Sequence, residues 1–142
     1  MTDIKQACYR KLHRYKYQLM ADYEWGVGIE GYDMESPYLK LTTTGMLTIR
    51  KSYAWDGPSG PTIDTLNFMR GSLVHDALYQ LIRMEVIPYS YKDHADRLFQ
   101  RMCIEDGMSK FRAWYVYYAV KFFGHSSAKP GSEKPDKVIC VP

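Results

Sequence analysis

The stretch SLVHDALYQL, residues 72–81, decides how this chain is read. Leu73, Ala77 and Leu81 recur at intervals of four, and Met69 and Leu66 carry the same stripe backwards. That spacing predicts a helix of about five turns ending near Arg83, with one apolar face against a core. Into this helix the sequence sets His75 and Asp76 side by side, with Tyr79 one turn after the histidine. Neighbouring residues point about 100° apart on a helix, so His75 and Asp76 cannot both aim at one pocket centre. His75 and Tyr79 share a face.

Downstream, EVIPYSYKD (residues 85–93) is a turn, because Pro88 bars helix continuation. Ala95, Leu98, Phe99, Met102 and Cys103 then define a second helix that stops near Asp106-Gly107, where glycine supplies the left-handed C-terminal residue. A third helix is expected from about Ser109 to Phe123. Upstream the pattern is strand-like. PYLKLTTTGMLTIRKSYAW (residues 37–55) reads as a hairpin turning at residues 43–45, and YQLMADYEWGVGI (residues 17–29) as its partner strand. The expected fold is α+β: a small antiparallel sheet or hairpins, then an antiparallel helix pair and a third helix. Residues 1–124 are expected to form one domain, with a basic arm at 1–16, the sheet at 17–55, a Gly/Pro loop at 56–64 and helices at 65–123. Residues 125–142, rich in Pro, Gly and charge, read as a flexible tail.

The 142 residues are 46% hydrophobic and 15% aromatic, enough for a real core. A formal charge of +3 does not by itself predict nucleic-acid binding, and no specific nucleic acid is expected. Residues 1–16 hold five basic groups (Lys5, Arg10, Lys11, Arg14, Lys16) against Asp3, an arm read as solvated. Cys8, Cys103 and Cys140 are odd in number and widely spaced, which points to a reducing compartment rather than a disulfide framework. No apolar signal region opens the chain, and the run WYVYYAV (residues 114–120) is too short to span a bilayer. A protein made in the cytoplasm is expected.

A short reversal around Pro88 brings residues at similar distances from the turn opposite one another, so His75 and Asp96 can meet across the helix pair. A carboxylate on one ring nitrogen fixes the tautomer and leaves the other nitrogen as a general base. Just ahead lies YAWDGPSGPTID (residues 53–64), where Gly57 and Gly60 permit inward carbonyls and Pro58 and Pro61 stiffen the loop. Inward carbonyls and one carboxylate, Asp76, make a site for a hard cation. Those parts suit attack of an activated water on an ester.

GPSGPTIDTLNFMRGSLVHDALY followed by ADRLF resembles the phospholipase A2 superfamily, most closely the compact form in parvovirus capsid proteins. The resemblance implies that His75 activates water, Asp96 orients His75 and Tyr79 supports Asp96. It implies calcium held by Asp76 with carbonyls of Trp55, Gly57 and Ser59, and Asp56 as a further ligand. Leu78 and Ala95 stand where secreted members place a disulfide. The chain also resembles a family of small tailed-phage proteins of unassigned function, which shares an aromatic-Asp-Gly-x-Ser loop, an H-D-x-L-Y helix and a later A-D-x-x-F. That likeness implies synthesis in the host cytoplasm and a possible place in the virion.

Other readings stand beside these. A buried histidine is commonly structural, and the cluster around His75 then serves only as a satisfied polar network. Metal phosphohydrolases also use H-D, with further ligands upstream, where only His13 stands. A zinc site of His75, Asp76 and His94 is strained. Arg70 and Arg83 read as solvated helix-face residues. Phe111, Trp114, Tyr115, Tyr118 and Phe122 fall on one helical face and are expected in the core, with Tyr117 and Phe123 off it. Two functions follow. One is a phage hydrolase of phospholipase A2 type working on a phospholipid surface. The other is an inactive virion or assembly component that binds other phage structural proteins.

Overall fold

Leu39 and Leu41 are buried while Lys40 between them is only half-buried, the period of two that a strand with one face on a core requires. The computed structural model describes residues 9–11, 17–55 and 66–123. These fall into two compact units: the described residues up to Trp55, and residues 66–123.

The first unit is built of strands: β1 (Tyr9–Lys11), β2 (Tyr17–Leu19), β3 (Tyr23–Gly26), β4 (Met34–Glu35), β5 (Leu39–Leu41), β6 (Met46–Ile49) and β7 (Ala54–Trp55). The expected hairpin is β5–β6, antiparallel with Leu41 opposite Leu47, and it turns through Thr42–Gly45. The stretch at residues 17–29 is not one strand, and the sheet is not one sheet. β3 joins a four-stranded sheet in the order β3-β6-β5-β4, whereas β2 lies between β1 and β7 in a separate three-stranded one. The chain bends between β2 and β3, where Asp22 Oδ1 accepts the Lys51 backbone N–H at 2.7 Å. The second sheet sets Tyr17 opposite Trp55, both buried, their ring centroids 5.4 Å apart. Tyr9–Lys11 of the basic arm pair with β2, so that part of the arm is a strand, too short to show a period in the sequence.

The second unit holds α1 (Met69–Arg83), α2 (Lys92–Glu105) and α3 (Lys110–Phe123). One 3-10 turn, Leu66–Phe68, leads into α1, and another, Tyr89–Tyr91, follows Pro88 into α2. Contacts between α1 and α2 run in opposite senses: Arg70 bonds Asp106, Gly71 abuts Phe99, and His75 bonds Asp96. The pair is antiparallel. A Cβ on Gly71 would lie 2.7 Å from the Phe99 ring and 3.2 Å from its carbonyl oxygen, so the bare glycine is what lets the helices close here. Phe68, Phe99, Cys103, Met108, Ala113, Val116 and Val120 form the core cluster.

Two expectations are corrected in this unit. Arg70 is not a solvated arginine; its Nε lies 3.0 and 3.1 Å from the two carboxylate oxygens of Asp106. The aromatic stripe of α3 is not in the core. Phe111 is 79% exposed and Phe122 69%, with Trp114, Tyr115 and Tyr118 also exposed. The buried face is instead Ala113, Val116, Tyr117 and Val120. Both faces are apolar, so periodicity could not choose between them. Apart from Tyr117, the buried face carries small residues, which let α3 sit close to α2, where Gln100 Nε2 reaches the Ala113 carbonyl oxygen at 3.4 Å.

Candidate functional site

His75 sits mid-way along α1, 5% exposed, between the Tyr79 ring at 4.0 Å and the Phe99 ring at 4.9 Å. Asp96 faces it from α2 with no exposed surface. His75 Nε2 lies 2.7 Å from Asp96 Oδ1, and the Tyr79 hydroxyl donates to the same oxygen at 2.6 Å. The expected His75–Asp96–Tyr79 cluster is therefore assembled, by the i,i+4 spacing on α1 and the antiparallel return of α2.

Sequence reading missed a fourth member. Lys92 donates to Asp96 Oδ2 at 2.8 Å and to the Lys121 carbonyl oxygen at 3.2 Å, and it too is buried. The signal was present as a Lys–Asp pair four apart on α2. Its reach to α3 was not, since that depends on which face α3 buries.

Burial pushes the Asp96 carboxyl towards its neutral form, but bonds from His75, Lys92 and Tyr79 outweigh burial and hold it below the ordinary carboxylate value. An ionised carboxylate only accepts, so Nε2 of His75 carries hydrogen and donates it. Burial, and then the Asp96 charge, push the Tyr79 phenol well above its ordinary range, so Tyr79 stays a donor. Among the described residues, Nδ1 of His75 makes no hydrogen bond. In the neutral ring this nitrogen holds the lone pair. The arrangement can thus take a proton at Nδ1 while Asp96 steadies the resulting imidazolium.

Asp76 stands on the adjacent face of α1, half-buried, and its charge is among the influences that raise Tyr79. Trp55 closes β7 with its side chain buried. Asp56, Gly57 and Ser59 lie outside the described residues. His94 meets the Tyr91 ring edge-on at 5.9 Å. Among the described residues no three His, Cys, Asp or Glu side chains gather to hold a metal ion, and the trio His75, Asp76 and His94 is not such a group. Leu78 and Ala95 are both buried.

A hairpin, then a helix with His75 and Tyr79, then a helix with Asp96, all lie within one matched region. Residues 38–120 match the family described as "Protein of unknown function (DUF1353)". The chain belongs to that family. No curated protein and no solved structure matches it. The DUF1353 region runs from just ahead of β5 to within α3, so it takes in all four members of the buried cluster.

Proposed function

We propose that the chain is a phage-encoded hydrolase of phospholipase A2 type that cleaves an ester of a phospholipid. One observation carries the reading: the His75 ring is tied to Asp96 through Nε2 while Nδ1 makes no hydrogen bond among the described residues. A structural histidine gains by bonding both nitrogens, whereas a general base must keep one for water. In the reaction, water attacks the carbonyl carbon as its proton passes to His75 Nδ1. Asp96 holds the ring by accepting from Nε2–H and balances its charge. When the tetrahedral intermediate collapses, the proton moves from His75 to the departing alkoxide, which yields a fatty acid and a lysophospholipid.

Asp76 gives α1 a half-buried carboxylate, the kind of hard oxygen donor that calcium takes. Calcium would be held there by Asp76 together with the further ligands that the phospholipase A2 resemblance implies, and would stabilise the developing oxyanion.

A second reading is favoured by Lys92. With three donors on one buried carboxylate, the cluster also has what a purely structural network needs. On that reading the chain is an inactive virion or assembly component docking other phage proteins. Fatty-acid release from mixed phospholipid vesicles, with calcium or with chelator, separates the two. The hydrolase releases fatty acid only with calcium and loses this on His75→Gln with its melting temperature kept. No release at any calcium level, together with a clear fall in melting temperature on His75→Gln, sinks the hydrolase and leaves the structural role.

A further inference from the structure

Phe111, Trp114, Tyr115, Tyr118 and Phe122 occupy one arc of α3 and are all exposed. Four of them form a ladder: Phe111 to Trp114 at 6.4 Å, Trp114 to Tyr118 at 4.9 Å, Tyr118 to Phe122 at 6.1 Å between ring centroids. The ladder covers about 16 Å of helix. Lys110 and Lys121 flank it on one side and Arg112 on the other, and α3 contains no Asp or Glu. Exposed rings at this density cost solubility unless they have a partner.

We infer that this face of α3 seats the protein on an anionic phospholipid surface. Trp, Tyr and Phe settle at the headgroup level, where rings are buried and polar tips stay wet, and flanking cations meet the phosphates. No described helix is long and apolar enough to cross a membrane, so the helix lies along the surface. A second copy of the chain fits poorly: a two-fold pair through this stripe would set lysine and arginine rims against each other. The seated helix ends at the polar cluster, because the Lys121 carbonyl oxygen accepts from Lys92, which also holds Asp96. Seating asks nothing of His75, and it stands or falls apart from the hydrolase reading.

The test is sedimentation of the full chain with phosphatidylcholine vesicles, pure or mixed with phosphatidylglycerol, in chelator so that no turnover intervenes. The mixed vesicles are expected to bind at least about tenfold more tightly. The combined variant Phe111→Ser, Trp114→Ser, Phe122→Ser should lose binding to both, with its circular dichroism and melting curve unchanged. Lys110→Gln with Lys121→Gln should weaken only binding to mixed vesicles, by about fivefold per cation. The inference is overturned if the unaltered chain stays in the supernatant with both vesicle types, or if the serine variant binds as well as the parent. It is equally overturned if ultracentrifugation shows a dimer that the serine substitutions dissolve while no vesicle binds.

Discussion

Asp96 accepts from three side chains on two helices and exposes no surface, so its charge is tolerated only because every donor is in place. Asp96→Ala leaves the Lys92 ammonium buried without its partner and is expected to cost about 3–5 kcal/mol, measured by urea denaturation. Lys92→Met takes the donor from Oδ2 and leaves the buried carboxylate without its cation, so it should cost a similar amount. The pH dependence has a definite sign. The folded-state carboxyl titrates below its unfolded value, so this stabilisation is full above about pH 4 and fades as pH falls through the folded value. Urea midpoints across pH 2–6 should show that acid loss in the parent and a flatter profile in Asp96→Asn. This dyad was legible in the sequence because two local rules sufficed: i,i+4 on one helix, and equal distances from the turn at Pro88. Lys92 was half legible for the same reason, since its bond to Asp96 is local and its bond to Lys121 is not.

At the scale of the element, α1 and α2 end in the same way with different residues. Val86 N–H bonds the Leu81 carbonyl and Met108 N–H that of Cys103, each across a left-handed residue: Glu85 at φ +62° and Gly107 at φ +99°. Glycine meets that geometry without a Cβ clash, and glutamate does not. Glu85→Gly is therefore expected to stabilise the fold by about 0.5–1 kcal/mol, read as a higher melting temperature, although glycine usually weakens a chain. Gly71 works in the opposite direction. Alanine there gains about 1 kcal/mol of helix propensity but drives a methyl into Phe99, at a cost of about 1–3 kcal/mol. The clash should win, and Gly71→Ala should lower the melting temperature. The end of α2 was readable because a glycine marks it. The end of α1 was placed by Pro88 alone, since nothing about a glutamate announces a left-handed turn. The orientation of α3 was not readable at all, because it carries two apolar faces and only packing against α2 decides between them.

At the scale of the whole molecule, strands ahead of helices followed from the change to a helical period after Asp56, and the α+β class with it. The division of the strands into two sheets did not, because it comes at the bend between β2 and β3 and the facing turn at Ser52 (φ +82°), neither of which leaves a periodic signal. In the helical unit, Cys103 lies in the core cluster, and burial pushes its thiol up to about 12. Only thiolate reacts with iodoacetamide, so Cys103 should be protected in the native protein and labelled across the urea transition, as peptide mass spectrometry can follow. Labelling of Cys103 at its free-thiol rate in native buffer would show that this core opens readily.

The bond from Lys92 to the Lys121 carbonyl makes the final turn of α3 a latch rather than a loose end. Unzipping that turn would take from the buried ammonium one of its two acceptors and leave Asp96 alone to hold it. A pull on the ring of Phe122 is thus transmitted through one ammonium to the carboxylate that aims the imidazole.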